Sequence, residues 1–262
     1  MSFLIFLPAL LGWAAGLAVN YLADVLPGLR RLGRPACPRC GTDYTPGRYL
    51  ALQACAQCGR PRSVRAWIVQ FFIPAASLYV WLNVPHMGYG LGLLVLAYFS
   101  LVFVIDFEHR LILHPTSLAG AIIGLIAGFA SHGWAATLLG GLGGLAIMLA
   151  FYYLGTLVSR LRASRMRAAG QPADDEEALG AGDVILAGIL GLVLGWPLIW
   201  FSLLLGILLG GLIGLFVMAL MLLSKRYQEN VLMVFMPYGP FFIVSTAFIL
   251  FLPNWISAVV PK

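Results

Sequence analysis

Two aspartates lie at the ends of long apolar stretches, where a charged side chain is costly. Asp106 follows the apolar run 88–105, and Asp183 begins the apolar stretch after Gly182. A carboxylate at the centre of a membrane helix costs roughly 2.5–3.5 kcal/mol, and less near an interface. If the two carboxylates meet, one can act as general base on a water molecule while the other, protonated, donates to a peptide carbonyl. The pair is therefore a candidate aspartic protease centre.

The residue types alone leave other roles open for these aspartates. Asp183 stands where a helix begins, and an aspartate at the N-cap accepts hydrogen bonds from free backbone N–H groups. Either residue could instead pair with an arginine at the interface or belong to an ion pathway. Gly180 and Gly182 precede Asp183, and their missing side chains would let substrate lie close to that carboxylate. We predict a catalytic pair flanked by these two glycines.

Four cysteines form two Cys-x-x-Cys pairs within one polar segment. Cys37 and Cys40 are separated by fourteen residues from Cys55 and Cys58. Two such pairs can close a tetrahedron of thiolates around Zn²⁺. A site closed by four sulfurs has no open position for a substrate, so we predict structural zinc. Two disulfides or four free thiols are the alternatives.

The composition of the chain indicates that membrane helices position the aspartates and cysteines. Of the 262 residues, 61% are hydrophobic and only 10% are charged, which no soluble domain of this length could accommodate. The apolar runs are too long and continuous for barrel strands. The 30 glycines suit close packing of helices in lipid. We predict an all-α, polytopic membrane helix bundle with a small zinc-binding cytoplasmic loop.

About eight apolar stretches are candidate transmembrane helices. Basic residues concentrate in the segments 27–65, 159–182 and 224–237, which the positive-inside rule assigns to the cytoplasm. This topology accounts for the basic composition without a nucleic-acid partner. The predicted spans are 3–26, 66–84, 88–106, 115–131, 135–158, 183–195, 197–223 and 238–258.

The predicted topology gives the chain three parts. They are a first transmembrane span in residues 1–27, a cytoplasmic four-cysteine loop in 28–65 and a transmembrane core in 66–262. Both termini face outward. Asp106 then ends the third span and Asp183 begins the sixth, both at the cytoplasmic face. Water could reach both from that side.

Taken together, these motifs resemble the type IV prepilin peptidases, the membrane aspartic proteases of pilus and type II secretion systems. That family shares a Gly-x-Gly-Asp motif with other intramembrane proteases. The resemblance extends over essentially the whole chain. The matching motifs are the two Cys-x-x-Cys pairs after the first span, Asp106-x-x-His109, Gly180-Ala181-Gly182-Asp183-Val184 and Pro237-Tyr238-Gly239-Pro240-Phe241.

The resemblance implies a function and a location. Asp106 and Asp183 would be the catalytic pair of a prepilin peptidase, an aspartic endopeptidase that cuts the leader peptide of a prepilin or pseudopilin precursor. Cleavage would occur at the cytoplasmic face of the bacterial inner membrane. Family members often also methylate the new N-terminus with S-adenosylmethionine, an activity associated with the Cys-bearing loop. The resemblance therefore adds S-adenosylmethionine, as a second cofactor, to the structural Zn²⁺ predicted from the cysteines.

Two residues next to Asp106 are candidates for a supporting role. Glu108 and His109 follow it in the predicted cytoplasmic turn. We expect Glu108 to pair with Arg110. The alternatives are that Glu108 and His109 tune the ionisation of Asp106 or contact the leader peptide.

Two further polar residues have simpler expected environments. Asp24, one turn before the end of the first span, is expected to extend toward the interface or to pair with Arg30 or Arg31. A role facing the substrate is the alternative for Asp24. His132 falls in a predicted outer loop and is expected to be solvated.

Two other functions compete with proteolysis. A transporter or proton relay could use the same buried carboxylates, but it would distribute polar residues through the bilayer thickness. In this sequence the polar residues instead concentrate at the cytoplasmic face of the predicted bundle. A non-enzymatic scaffold for pilus or secretion assembly could use the four-cysteine loop to dock a partner.

Overall fold

The computed structural model describes residues 2–168, 180–223 and 238–252. These residues form helices and no strand, apart from an isolated bridge between Ala36 and Asp43. Five of the helices are long and apolar enough to cross a membrane. The predicted all-α membrane bundle is confirmed. The helices are α1 (Ser2–Leu29), α2 (Pro46–Leu50), α3 (Val64–Leu82), α4 (Tyr89–His109), α5 (His114–Ala168), α6 (Ala181–Leu194), α7 (Leu198–Leu223) and α8 (Gly239–Phe251).

Each predicted span corresponds to a helical stretch, with two differences. The fourth and fifth spans fall within α5, which breaks at Gly133 (φ 78°, ψ 176°), a conformation that favours glycine. α5 also continues to Ala168, ten residues beyond the predicted end of the fifth span at 158. Polar residues can extend a membrane helix into water, so hydropathy marks the membrane boundary and not the helix end. Residues 169–179 and 224–237 of the predicted loops, with Pro237, lie outside the described residues.

The chain divides into two compact units, residues 1–116 and 117–262. In the first unit, α1 packs against α3 and α4. A Cβ atom at Gly12 would lie 2.7 Å from the Cα atom of Pro74, so this glycine permits the close approach of α1 to α3. The apolar core of this unit consists of Val19, Ala23, Leu26, Val69, Ile73, Leu101, Val104, Ile105 and Leu113.

Three buried polar side chains also join α1 to α3. The Ser77 hydroxyl donates to the Pro8 carbonyl (2.7 Å), and the Gln70 amide donates to the Trp13 carbonyl (2.9 Å). The Asn20 amide donates to the Ala66 carbonyl (3.0 Å). Buried polar groups without partners are costly in an apolar environment, so these bonds fix the register of the two helices.

In the second unit, glycines bring α5 and α6 into backbone contact. A Cβ atom at Gly140 would overlap the carbonyl oxygen of Gly191, and one at Gly144 would overlap that of Ala187. Nine of the fourteen residues of α6 are buried. α7 and α8 pack on each other and on α6. Ser202 of α7 exchanges hydrogen bonds with Ser245 and Thr246 of α8 (3.2 and 2.7 Å).

The structure corrects the prediction that His132 is solvated. Its Nε2 atom lies 3.2 Å from the carbonyl oxygen of Val193, and its Nδ1 atom lies 3.2 Å from the Thr137 hydroxyl. The Thr137 hydroxyl also donates to the carbonyl of Gly133 (2.7 Å). The predicted outer loop is therefore a sharp break inside α5, and the imidazole contacts the Val193 carbonyl of α6 and the Thr137 hydroxyl of α5.

Candidate active site

Asp106 lies in the last turn of α4 and is almost completely buried, with 4% of its surface exposed. Arg110 ends the helix in a left-handed conformation (φ 54°), and its N–H donates to the carbonyl of Asp106 (2.8 Å). The Oδ2 atom of Asp106 is buried without a hydrogen-bond partner among the described residues. Buried carboxylate oxygens are rarely left unpaired, and exceptions call for an explanation such as catalysis.

Asp183 is the third residue of α6, whose N-cap is Gly180 (φ −76°, ψ 140°). The N–H of Asp183 donates to the Gly180 carbonyl (3.0 Å). The alternative that Asp183 itself occupies the N-cap position is therefore wrong. The helix starts at Ala181, two residues before the predicted span 183–195, so its first turn includes Ala181 and Gly182. An acidic side chain there still interacts favourably with the positive end of the helix dipole.

The two glycines of the Gly-x-Gly-Asp motif lie beside that carboxylate. Gly180 is exposed and Gly182 is half-buried. A Cβ atom at Gly180 would lie 3.7 Å from Oδ2 of Asp183, in ordinary van der Waals contact. Side chains larger than alanine would therefore crowd the carboxylate. Asp106 belongs to the first unit and Asp183 to the second, and their pairing stays a prediction.

The predicted partner of Glu108 is wrong. Glu108 accepts a hydrogen bond from Nε of Arg65 (3.2 Å), on α3, and not from Arg110. Arg110 adopts the left-handed conformation that ends the helix, so it does not continue the helical surface on which neighbouring side chains pair. His109 is exposed in the same turn.

The predicted partners of Asp24 are also wrong. Its carboxylate accepts hydrogen bonds from Arg62 (2.7 Å), from Arg65 and from the hydroxyl of Tyr49, and not from Arg30 or Arg31. α1 ends at Leu29, and Arg30 takes a left-handed conformation (φ 52°). The segment that carries the four cysteines folds back onto α1. Arg62, which follows the cysteines, and Arg65, at the start of α3, therefore contact Asp24. Sequence spacing could not reveal these partners, because they lie 25 to 41 positions away.

Arg62 is the most buried member of this ionic network. Its side chain is 6% exposed, and its guanidinium lies over the rings of Tyr49 and Tyr44 (4.5 and 5.2 Å to the centroids). Such cation–π contacts strengthen as they lose water. Burial and the neighbouring Asp24 carboxylate raise the pKa of the Tyr49 phenol above its usual range, so its hydroxyl stays protonated and available as a donor.

The four cysteines are brought together, as the sequence predicted. Their sulfur atoms all lie within 4.8 Å of one another. The Sγ atoms of Cys37 and Cys58 are 3.7 Å apart, and those of Cys40 and Cys55 are 3.5 Å apart. A tetrahedron with Zn–S bonds of about 2.3 Å has S···S edges of about 3.8 Å. A disulfide would require about 2.05 Å, and none of the four cysteines forms a disulfide. The cluster could hold a metal ion, and its geometry fits zinc.

Each Cys-x-x-Cys pair forms the same tight turn. The N–H of Gly41 donates to the Cys37 carbonyl (2.9 Å), and the N–H of Gly59 donates to the Cys55 carbonyl (3.0 Å). Both glycines have a positive φ (72° and 67°), which favours glycine. Our sequence prediction did not use these glycines. A glycine directly after each second cysteine was the available signal.

The backbone of the turns also affects ionisation of the sulfurs. Hydrogen bonds from the backbone N–H groups of Arg39 and Cys40 lower the pKa of the Cys37 thiol to about 6. The backbone N–H of Arg60 favours the Cys58 thiolate, but desolvation and the three other sulfurs raise the Cys58 pKa to about 11. Four thiolates in one cluster repel one another, and a divalent cation would remove that repulsion.

Part of the chain that contains the two aspartates matches a known protein family. Residues 91–215 match the type IV leader peptidase family. This segment is just under half of the chain and runs from the start of α4 into α7. It contains both aspartates and the Gly-x-Gly-Asp motif, and it excludes the four-cysteine loop. No curated protein and no solved structure matches the chain. Residues 91–215 are therefore similar to the type IV leader peptidase family.

Proposed function

We propose that this protein is a membrane aspartic endopeptidase that removes the leader peptide of prepilin-like or pseudopilin-like precursors. Asp106 and Asp183 are its catalytic pair. The family match supports a leader peptidase-like protease, and the match includes both aspartates. The helices support a multi-pass membrane protein. In this proposal the chain lies in the bacterial inner membrane with the pair at the cytoplasmic face.

The observation that carries the proposal is the buried Oδ2 atom of Asp106, which has no hydrogen-bond partner in the described part of the chain. A structural carboxylate in an apolar environment would be neutralised by a cation or several donors. Asp106 instead ends an apolar helix, in the matched segment, with an acceptor position left open. A water molecule or a substrate carbonyl could occupy that position. The exposed Gly180 next to Asp183 would leave room for an extended peptide.

The proposed reaction needs one ionised and one protonated carboxyl group. The ionised group takes a proton from water as the oxygen attacks the scissile carbonyl, and the protonated group donates to the carbonyl oxygen. Collapse of the tetrahedral intermediate breaks the C–N bond, and the departing amine takes up a proton. We do not assign the two forms to individual residues, because two interacting carboxyls titrate as a pair.

The four-cysteine loop is proposed to hold structural zinc. The four sulfurs would complete the coordination shell, so the ion would stabilise the loop and take no part in peptide hydrolysis. In an optional second reaction, S-adenosylmethionine would donate a methyl group to the new N-terminus.

The test is cleavage of a purified prepilin precursor by the full-length protein in proteoliposomes. Mass spectrometry of the product's N-terminus reads the cleavage position and any added methyl group. We expect Asp106→Asn and Asp183→Asn each to abolish cleavage while the protein still inserts. The matched control is Asp43→Asn, at an exposed carboxylate, which should cleave normally. Full activity of either catalytic variant would overturn the proposal.

The same proteoliposomes distinguish the two competing functions. A transporter or proton relay would show ion flux that depends on Asp106 without any precursor cleavage. A scaffold would retain its role in the Asn variants. We expect cleavage without flux.

A further inference from the structure

We propose that Arg65 is a positioning residue for the peptidase reaction, acting through Glu108 on the end of α4 that carries Asp106. The inference rests on the proposed catalytic role of Asp106. Arg65 is not in the family-matching segment 91–215, so the proposal gives a function to a residue outside the peptidase region.

Arg65 uses all three guanidinium nitrogens on three different acceptors. Its Nε donates to Glu108 of α4 (3.2 Å), one terminal nitrogen donates to Asn20 of α1 (3.2 Å), and the other donates to Asp24 of α1. The side chain is 19% exposed. A single planar group therefore connects the ends of α1, α3 and α4. Lysine could not replace this fork, because an ammonium on a flexible stem lacks its fixed geometry.

The backbone beneath Arg65 is also held in place. Arg65 is the second residue of α3, whose N-cap, Ser63, accepts a hydrogen bond from the N–H of Ala66 (3.4 Å). Asn20, which accepts from Arg65, donates to the Ala66 carbonyl (3.0 Å). The guanidinium thus extends from a capped helix start whose first turn is tied to α1.

Glu108 is the point at which this network reaches the candidate catalytic residue. It lies two residues after Asp106, in the last turn of α4. A last helical turn lacks the next turn's hydrogen bonds and frays easily. The bond to Arg65 restrains this turn from the side, so the Asp106 carboxylate keeps one orientation. Because catalysis is sensitive to small displacements, loss of that restraint would reduce turnover more than substrate binding.

The network also includes the four-cysteine loop. Asp24, which Arg65 contacts, accepts from Arg62 and Tyr49, and both of these belong to the segment that carries the cysteines. Tyr49 packs in one apolar cluster with Cys37, Tyr44 and Cys55. A four-cysteine loop made rigid by metal would therefore keep Asp24 in place, and with it the position of Arg65 relative to Glu108.

A double-mutant cycle on cleavage kinetics tests this inference. The variants are Arg65→Ala, Glu108→Gln and the combination of both, with Arg48→Ala as a control that removes an exposed cation from the same loop. We expect Arg65→Ala to lower kcat about tenfold with KM changed less than about twofold, the size of coupling typical of one hydrogen-bonded network. Glu108→Gln should lower kcat in the native background and have almost no further effect in the Arg65→Ala background.

Two results would overturn the inference. One is additivity, in which Glu108→Gln lowers kcat by the same factor with and without Arg65. The other is equal kcat for Arg65→Ala and Arg48→Ala. Arg65→Lys separates charge from geometry: we expect it to restore less than half of the lost kcat, and full restoration would overturn the role of the fork.

The inference and the proposed function fail in different ways. If Asp106→Asn still cleaves the precursor, the proposed function fails. If Asp106→Asn is inactive and the cycle is additive, the proposed function stands and only the role of Arg65 fails. Metal content measured on each variant shows whether the loop is intact, and we expect Arg65→Ala to retain as much metal as the native protein.

Discussion

Two aspartates of the first unit lie near the ends of apolar helices, and they have opposite environments. Asp24, on α1, is bound by two arginines and a tyrosine hydroxyl. Asp106, on α4, is more deeply buried, and one of its oxygens has no partner among the described residues. Each aspartate follows a similar apolar run, so hydropathy alone does not distinguish them. We propose that the neutralised Asp24 carboxylate stabilises the structure, whereas Asp106 takes part in catalysis.

Metal removal should produce the largest effect on stability. This effect should fall on the four-cysteine loop and its contacts with Asp24. Structural zinc contributes about 10 kcal/mol or more to the folding of small cysteine loops. We expect chelation to expose the loop to trypsin at its arginines, because Arg62 and Tyr49 would leave Asp24. Limited proteolysis with mass spectrometry measures this. A Cys55→Ser variant should already be sensitive and should not respond further to the chelator. Resistance of the native loop after verified metal loss would contradict the prediction.

The Asp106→Asn substitution should have the next largest effect, on activity alone. We expect cleavage to fall about 10³-fold, the order of magnitude that a general acid or base contributes. Thermal stability should stay within about 0.5 kcal/mol, because Asp106 forms no ion pair in the described part of the chain. Thermal unfolding in detergent and precursor cleavage measure the two quantities. A large loss of stability in the Asp106→Asn variant would indicate that Asp106, like Asp24, has a structural role.

The Asp24→Asn substitution should give the opposite pattern. It leaves Arg62 and Arg65 with no carboxylate on α1, and removing one partner of a largely buried pair costs about 3 kcal/mol. We expect a clear fall in unfolding temperature. Asp43→Asn, at an exposed carboxylate, should change stability by less than about 0.5 kcal/mol. Equal effects of the two substitutions would refute a structural role for the Asp24 network.

The smallest expected effect is that of Tyr49→Phe, which keeps the ring over Arg62 and removes only the hydroxyl. A hydrogen bond to a charged acceptor contributes about 1.5–3 kcal/mol, and one between neutral groups about 1 kcal/mol. Tyr49 donates to the Asp24 carboxylate, whereas Tyr21 donates to the neutral carbonyl of Gly33 (2.8 Å). Thermal unfolding should therefore show a larger loss for Tyr49→Phe than for Tyr21→Phe. The reverse order would be inconsistent with an ionised Asp24.

The sequence predicted local features well and distant contacts poorly. The cluster of four cysteines could be foreseen, because each Cys-x-x-Cys turn is determined by neighbouring residues. The apolar runs likewise indicated the helices. The break at Gly133 was predicted as a loop. One of the two hydrogen bonds of His132 there is to Val193, which lies 61 positions away in the chain.

The ionic partners were missed for the same reason. The predicted pairs joined Asp24 to Arg30 or Arg31 and Glu108 to Arg110, all near neighbours in sequence. In the structure both carboxylates contact Arg65, 41 and 43 positions away. The start of α3, which follows the four-cysteine loop, brings that guanidinium to both of them. Spacing could not show this, since it depends on how a segment without regular periodicity returns to the helices.

The fourteen residues of α6 have a consequence for the lipid that hosts this protein. At 1.5 Å per residue the helix is about 21 Å long, shorter than a hydrocarbon layer of about 30 Å. Its contacts with α5, α7 and α8 protect its backbone ends from acyl chains. If Asp183 lies at the membrane boundary, as we propose, its distance from bulk solvent depends on local bilayer thickness. Lipids with shorter tails would reduce the mismatch, so we expect membrane composition to affect how readily this carboxylate is hydrated.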